Sequence, residues 1–297
     1  MTQRTYLIAR HTVLLSYSST ELDVDSLLPG LKPFLADETD CAGECLFTLN
    51  VDCNLQPARE RTRLKTFDTG NGDTTVFTLP DGGYQFIIRD ILGRECALLI
   101  ADADFTCCRC AIKGKATQQA YGLSSVMMMC YAYSASRFDT LLIHASAIKV
   151  GRYAYAFTAK SGTGKSTHTA MWMRSIPGAE LLNDDNPIIR IRDGQAKIYG
   201  SPWSGKTPCY RRRQARLGAI VSINRAKSNS IEPLGPVSSL ATLMEGCSTM
   251  MWDTRIYNRM LDTLSTLIAT TPIFKLHCLP DEEAAAVCYA AVAKEVQ

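Results

Sequence analysis

The 297-residue sequence is short of several things, and each shortage removes a class of protein. It has no run approaching the ~18 apolar residues of a membrane-spanning helix, so no such span is expected. An excess of one charge is also missing. Thirty-two Lys and Arg face 29 Asp and Glu, a net of +3, too little to demand a nucleic-acid or anionic-membrane partner. Only four histidines are present, which argues against a His-rich metal site. The first residues, Met1 to His11, interrupt their only apolar run with charges and do not read as a signal peptide. With 46% hydrophobic and 21% charged residues, there is enough apolar surface for a core and no sign of wholesale disorder.

Cysteine is the exception, at twelve residues. Two clusters stand out, Cys41-Ala-Gly-Glu-Cys45 with Cys53, and Cys107-Cys108-Arg109-Cys110. A zinc site wants paired knuckles at a defined separation, and the first cluster has no second pair. The second lies in a stretch patterned as a strand, where neighbouring side chains face opposite ways. Reduced, partly buried thiols in a cytoplasmic protein are the expectation.

The pattern divides the chain in three. Residues 1–115 read as a β-rich accessory or recognition domain. Val76–Leu79 and Tyr84–Arg89 flank Pro80-Asp-Gly-Gly83, a hairpin signal, and Cys96–Ile100 and Thr106–Ile112 extend it into a meander. Residues 20–40 and 54–73 carry no clear pattern. Across 116–140, Leu123, Val126, Met127, Cys130 and Tyr131 recur at helical spacing, which predicts a connecting helix. Residues 141–297 alternate strands with helices and read as an α/β domain. A helix is expected from Ser166 to Ile176, strands at Leu181–Leu182, Ile188–Arg192, Ala196–Tyr199 and Gly218–Asn224, and a helix through Ile256 and Ile268. A last strand follows at Phe274–Leu279, then a helix capped by Asp281.

Chemistry concentrates in Ala159-Lys-Ser-Gly-Thr-Gly-Lys165-Ser166-Thr167, which fits the phosphate-loop pattern GxxxxGK[ST] except for Ala159 in first place. About one random chain of this length in fifty would carry the relaxed pattern, so context decides. Here an apolar strand precedes it and a helix follows, as the motif requires. Gly162 and Gly164 let the backbone of Ser161 to Thr167 curl around an anion at a helix N-terminus. Lys165 would neutralise the β- and γ-phosphates, and Ser166 would ligate Mg²⁺ or Mn²⁺.

Asn183-Asp184-Asp185 ends a short apolar strand, and two adjacent acids there could divide metal binding and proton transfer. The competing expectation is an Asx-type turn before Pro187. His144 joins the group through register. If Leu141–Val150 pairs antiparallel with Tyr153–Thr158 around Gly151, His144 falls opposite Phe157–Thr158, beside the loop.

Together, Leu142-Ile-His144-Ala-Ser-Ala-Ile, the glycine loop and Leu181-Leu-Asn-Asp184-Asp185 resemble the superfamily of HPr kinase/phosphorylase and ATP-dependent phosphoenolpyruvate carboxykinase. The likeness covers about residues 141 to 206 and implies a P-loop domain with a mixed sheet. It also implies a Mg²⁺-dependent kinase moving the γ-phosphate of ATP to a hydroxyl acceptor, either a small molecule such as serine or a Ser in a protein or peptide. By the same resemblance Asp184 is the general base, His144 sits beside it or, as in the carboxykinase branch, near a second metal, and Asp185 with Ser166 is the metal partner. Tyr199-Gly-Ser-Pro-Trp203-Ser-Gly205-Lys206 resembles a loop of HPr-kinase-like proteins, giving Lys206 as a cation for the transferred group. A loop merely anchored by a buried Trp203 is the alternative. Arg211 heads a basic run, Arg211-Arg-Arg213 with Arg216 beyond it, that would add a charge-stabilising arginine or bind an anionic acceptor, with a solvated basic edge as the alternative. The expected partners are ATP and the acceptor, with no nucleic acid or membrane, and a homo-oligomer is compatible with the family. A nucleotide-binding regulator without turnover, or carboxykinase-like chemistry, are the other readings.

Overall fold

The computed structural model describes residues 1–18, 20, 22–37, 40, 45–160, 162–205 and 207–294. Cys41, Ser161 and Lys206 lie outside these. The chain divides into two compact units, residues 1–134 and 135–297, each built on a mixed sheet.

The first unit holds β1 (Thr2–Ile8), β2 (His11–Tyr17), α1 (Val24–Leu27), β3 (Cys45–Val51), β4 (Thr62–Asp68), β5 (Asp73–Thr78), β6 (Tyr84–Arg89), β7 (Glu95–Ala101), β8 (Cys107–Ile112) and α2 (Ala116–Ala135). Its eight strands run in the order β1-β2-β3-β8-β7-β6-β5-β4. The pairs β2–β3 and β3–β8 are parallel, and the rest are antiparallel. Helix α2 buries Leu123, Val126, Met127, Cys130 and Tyr131. It lies close to β7 because Gly122 has no side chain; a Cβ there would sit 2.6 Å from the Cys96 carbonyl oxygen. In β8, Cys108 and Cys110 are buried and Cys107 is exposed, the alternation expected of a strand. Burial pushes the Cys110 thiol pKa well up, so it stays protonated.

The second unit holds β9 (Thr140–Leu142), β10 (Ala145–Val150), β11 (Tyr153–Thr158), α3 (Lys165–Ser175), β12 (Ala179–Asn183), β13 (Ile188–Arg192), β14 (Gln195–Tyr199), β15 (Gln214–Arg225), β16 (Ser230–Pro233), α4 (Pro236–Met244), α5 (Thr254–Thr270), β17 (Ile273–Cys278) and α6 (Glu282–Val292). The strand path is β12-β10-β11-β15-β14-β13-β9. Long strand β15 is its axis. It pairs with β14 through its first residues, runs parallel to β11, and takes β17 as a parallel neighbour through its last six residues.

Alternation along these strands sends side chains to two cores. Ala156, Ile220 and Ile273 join Leu243 of α4 and Leu264 of α5 on one face. On the other, Phe157 and Val221 meet Trp172 of α3 and Cys288 of α6. Helix α5 is capped by Asp253, which accepts from the Arg255 and Ile256 amides, and α6 by Asp281. No described helix is long and apolar enough to cross a membrane.

Candidate functional site

The glycine loop joins the end of β11 at Thr158 to the start of α3 at Lys165. Gly162 and Gly164 both have left-handed backbones, with φ of +77° and +126°. A Cβ at either would meet nothing within 4 Å, so glycine is needed for conformation and not for space. The first turn of α3 carries no side-chain cap and no acid, which leaves its N–H groups open to an anion. Arg225, at the end of β15, ties the loop down by donating to the carbonyls of Gly162 (2.7 Å) and Thr163 (3.0 Å).

Lys165, the first helical residue, turns back towards β10. Its Nζ is 2.6 Å from His144 Nε2 and 3.4 Å from the Ala159 carbonyl. On the far side of the imidazole, His144 Nδ1 is 3.6 Å from Asp185 Oδ1. Burial, then the neighbouring Lys165 charge, lowers the His144 pKa below 6.5, partly offset by Asp185. A neutral ring therefore accepts from the ammonium through Nε2 and turns its Nδ1–H to the carboxylate. Burial also lowers Lys165 and raises Asp185, so the three groups sit closer in proton affinity than they would in water.

His144 reaches this place by a different route from the expected one. The apolar stretch 141–150 is not one strand. Thr140–Leu142 pairs with β13, Ile143 bridges Cys247, and the chain bends at His144 before β10 begins. In the β10–β11 register Ala145 faces Thr158 and Ser146 faces Phe157. His144 thus lies just beyond the ladder, beside the loop's first residue, and not opposite Phe157–Thr158. The bend is held by His144 N–H to Gly246 O (2.7 Å) and Ala145 N–H to Asp185 O (2.9 Å).

The two acids differ sharply. Asp184 is buried, and both its oxygens are already engaged: Oδ1 accepts from Ser146 Oγ (3.1 Å) and Oδ2 from the Thr207 amide (3.1 Å). Asp185 is about one-third exposed, with Oδ2 accepting from Asn186 Nδ2 (2.5 Å). Asn183 organises both. Its Oδ1 accepts from the amides of Asp185 and Asn186, which is the Asx turn, and its Nδ2 donates to Ser201 Oγ and the Trp203 carbonyl. Segment 199–205 is clamped against the acids. A Cβ on Gly205 would lie 3.0 Å from the Asp184 carbonyl oxygen, and Trp203 is buried beneath. The structural alternatives for the turn and for Trp203 are therefore both real, and they position the acids.

Arg211 is not brought to this group. Its guanidinium donates to Glu180 Oε2 (3.2 Å), alongside Arg213 (2.9 Å), while Lys149 takes Oε1 (3.0 Å). Glu180 is the second residue of β12, and the acids follow that strand's other end. Arg211 and Arg213 thus pair with this carboxylate, a partner the charge pattern alone does not reveal. The pattern also missed Ser146, Thr207 and Arg225. Only Arg225 left a trace, standing one residue past an expected buried strand.

Among the described residues no three His, Cys, Asp or Glu side chains converge on a metal position. A magnesium site of the nucleotide type needs only one or two protein ligands, the rest being phosphate and water. Ser166 at the start of α3 and the part-exposed Asp185, a carboxylate whose pKa burial raises despite the nearby His144 and Lys165, fit that share.

No family model and no curated protein matches the chain. Among solved structures, the HPr(Ser) kinase/phosphatase from Coxiella burnetii aligns over 51% of this chain and 93% of its own, at 14% identity and a TM-score of 0.30. That is a weak structural likeness, too distant to transfer a fold type or an activity.

Proposed function

We propose that the protein is a Mg²⁺-dependent kinase that moves the γ-phosphoryl of ATP to a hydroxyl acceptor. The observation that carries this reading is the contact of Lys165 with His144 behind two left-handed glycines at an uncapped helix start. An ammonium parked on a neutral imidazole has a better partner in a polyphosphate, and its departure would free Nε2 as a base.

Loop amides and Lys165 hold the β- and γ-phosphates, with Arg225 keeping the loop in shape. Ser166 and Asp185 would hold the ion, which supplies charge neutralisation at the phosphates. The acceptor oxygen bonds to the γ-phosphorus, the bond from phosphorus to the β-bridging oxygen breaks, and ADP leaves with that oxygen. The acceptor proton passes to His144 Nε2, whose ring Asp185 orients. The resemblance gives the proton to Asp184 instead. Geometry favours His144, because both Asp184 oxygens already accept hydrogen bonds and its side chain is buried. In this reading Asp184 is a positioning residue, holding Ser146 and Thr207.

The test is label transfer from γ-labelled ATP to a pool of metabolites and peptides, followed by mass spectrometry, with Lys165→Ala as control. Label on an acceptor with the wild type alone supports the kinase. ATP binding with no transfer of label would leave a nucleotide-binding regulator in its place.

A further inference from the structure

Strands β11, β15 and β17 run parallel, and their register lines residues up across the sheet. Ala156 pairs with Ile220 and Ile220 with Ile273, an apolar row within the core under α4 and α5. Two residues on, and so on the same face, Thr158 pairs with Ser222 and Ser222 with Lys275. The core stops at that polar row and a cavity of about 630 Å³ begins, walled also by His144, Lys160 and Glu245. It opens beyond the carboxyl ends of parallel strands, where sheets of this kind bind ligands.

Three features suit this cavity to a small polar molecule. Its volume lies within the ~300–1,000 Å³ usual for small-molecule sites. Thr158 and Ser222 line it with hydroxyl-bearing residues where the row beneath is apolar. Lys275 is half-buried, and among the described residues neither it nor Lys160 makes a side-chain hydrogen bond or ion pair. The lining thus counts two lysines against one carboxylate, Glu245, which is exposed at the end of α4. The uncompensated charge is positive, and His144 of the proposed catalytic group stands in the wall.

We infer that this cavity is the acceptor site of the proposed kinase, and that it takes a small polyol or hydroxy acid bearing one anionic group. The acid group pairs with Lys275 and Lys160, and the acceptor hydroxyl is presented to His144. That hydroxyl's oxygen bonds to the γ-phosphorus, its proton goes to His144 and ADP is released. The inference rests on the kinase reading, so the experiment separates the two.

Full-length protein with Mg²⁺ and γ-labelled ATP is offered gluconate against sorbitol, glycerate against glycerol, and a pool of serine peptides. Binding of gluconate without ATP is followed by saturation-transfer NMR, and ATP binding by titration calorimetry. An acid should be phosphorylated with kcat/KM at least ~10-fold above its neutral partner, the scale of one charged hydrogen bond. Lys275→Gln should abolish that preference and weaken gluconate binding. Equal use of neutral and acidic polyols, or label on peptides alone, would overturn the acceptor site while leaving the kinase standing. Gluconate binding with no ATP binding would instead sink the kinase reading, and the acceptor role with it.

Discussion

Individual residues carry the sharpest expectations. If His144 takes the proton, His144→Gln lowers kcat by about 10²–10⁴ while the fold survives. Asp184→Asn acts mainly on stability, because it disturbs the Ser146 and Thr207 bonds, at a cost of about 1–3 kcal/mol in chemical denaturation. A full loss of kcat in a stably folded Asp184→Asn, with His144→Gln still active, would return the base to Asp184. The base works only when neutral, and burial lowers the His144 pKa below 6.5. The acid limb of kcat/KM should therefore lie below pH 6.5 and vanish in His144→Gln, as a pH profile of both would show.

His168 gives a second titration, on stability. It is buried in α3, accepts from Trp172 Nε1 (3.0 Å) and packs edge-on against Phe157. Desolvation lowers its pKa to about 4. The unfolded chain, with an imidazole near 6.5, takes up the proton first as pH falls. The stabilisation is whole above 6.5 and is lost progressively from there towards 4. Between pH 7 and pH 5 the loss should be about 2 kcal/mol. His168→Gln should flatten this part of the urea-denaturation profile; an unchanged slope would place the proton elsewhere.

At the scale of elements, the glycine loop depends on a neighbour four strands further along the chain. Arg225→Ala removes two bonds to loop carbonyls and should weaken ATP binding by roughly 5–10-fold, read by titration, with the core intact. Elements with strong local signals were legible. The Asp-Gly-Gly turn marked the β5–β6 hairpin, and the helical spacing of Ile256 to Ile268 marked α5. The β1–β2 hairpin was not legible, because its two-residue turn is Ala9-Arg10, both left-handed, in place of the Asn and Gly that usually announce it. Nor was the break at His144, since Ile143 and Ala145 are as apolar as their neighbours. What ends β9 there is pairing with β13 and Cys247, contacts made by residues far along the chain.

On the scale of the whole molecule, every described residue of the candidate site lies in residues 135–297, the unit that also carried the readable motifs. The sequence showed the glycine loop, the acid pair and the His because their chemistry is local. Strand order was hidden, because nothing local states that β15 lies beside β11. That pairing places Arg225 on the loop and the Thr158–Ser222–Lys275 row above the core. The first unit is an eight-stranded sheet with α2 against it.

In the kinase reading, residues 159–167 hold a polyphosphate through Lys165. The direct measurement is calorimetric titration of the full-length protein with ATP and Mg²⁺, beside Lys165→Ala. Saturable binding that weakens at least ~30-fold in the variant is predicted, about 2 kcal/mol for a lost charged contact. Binding of equal strength in both proteins, or no binding by the wild type, would contradict it.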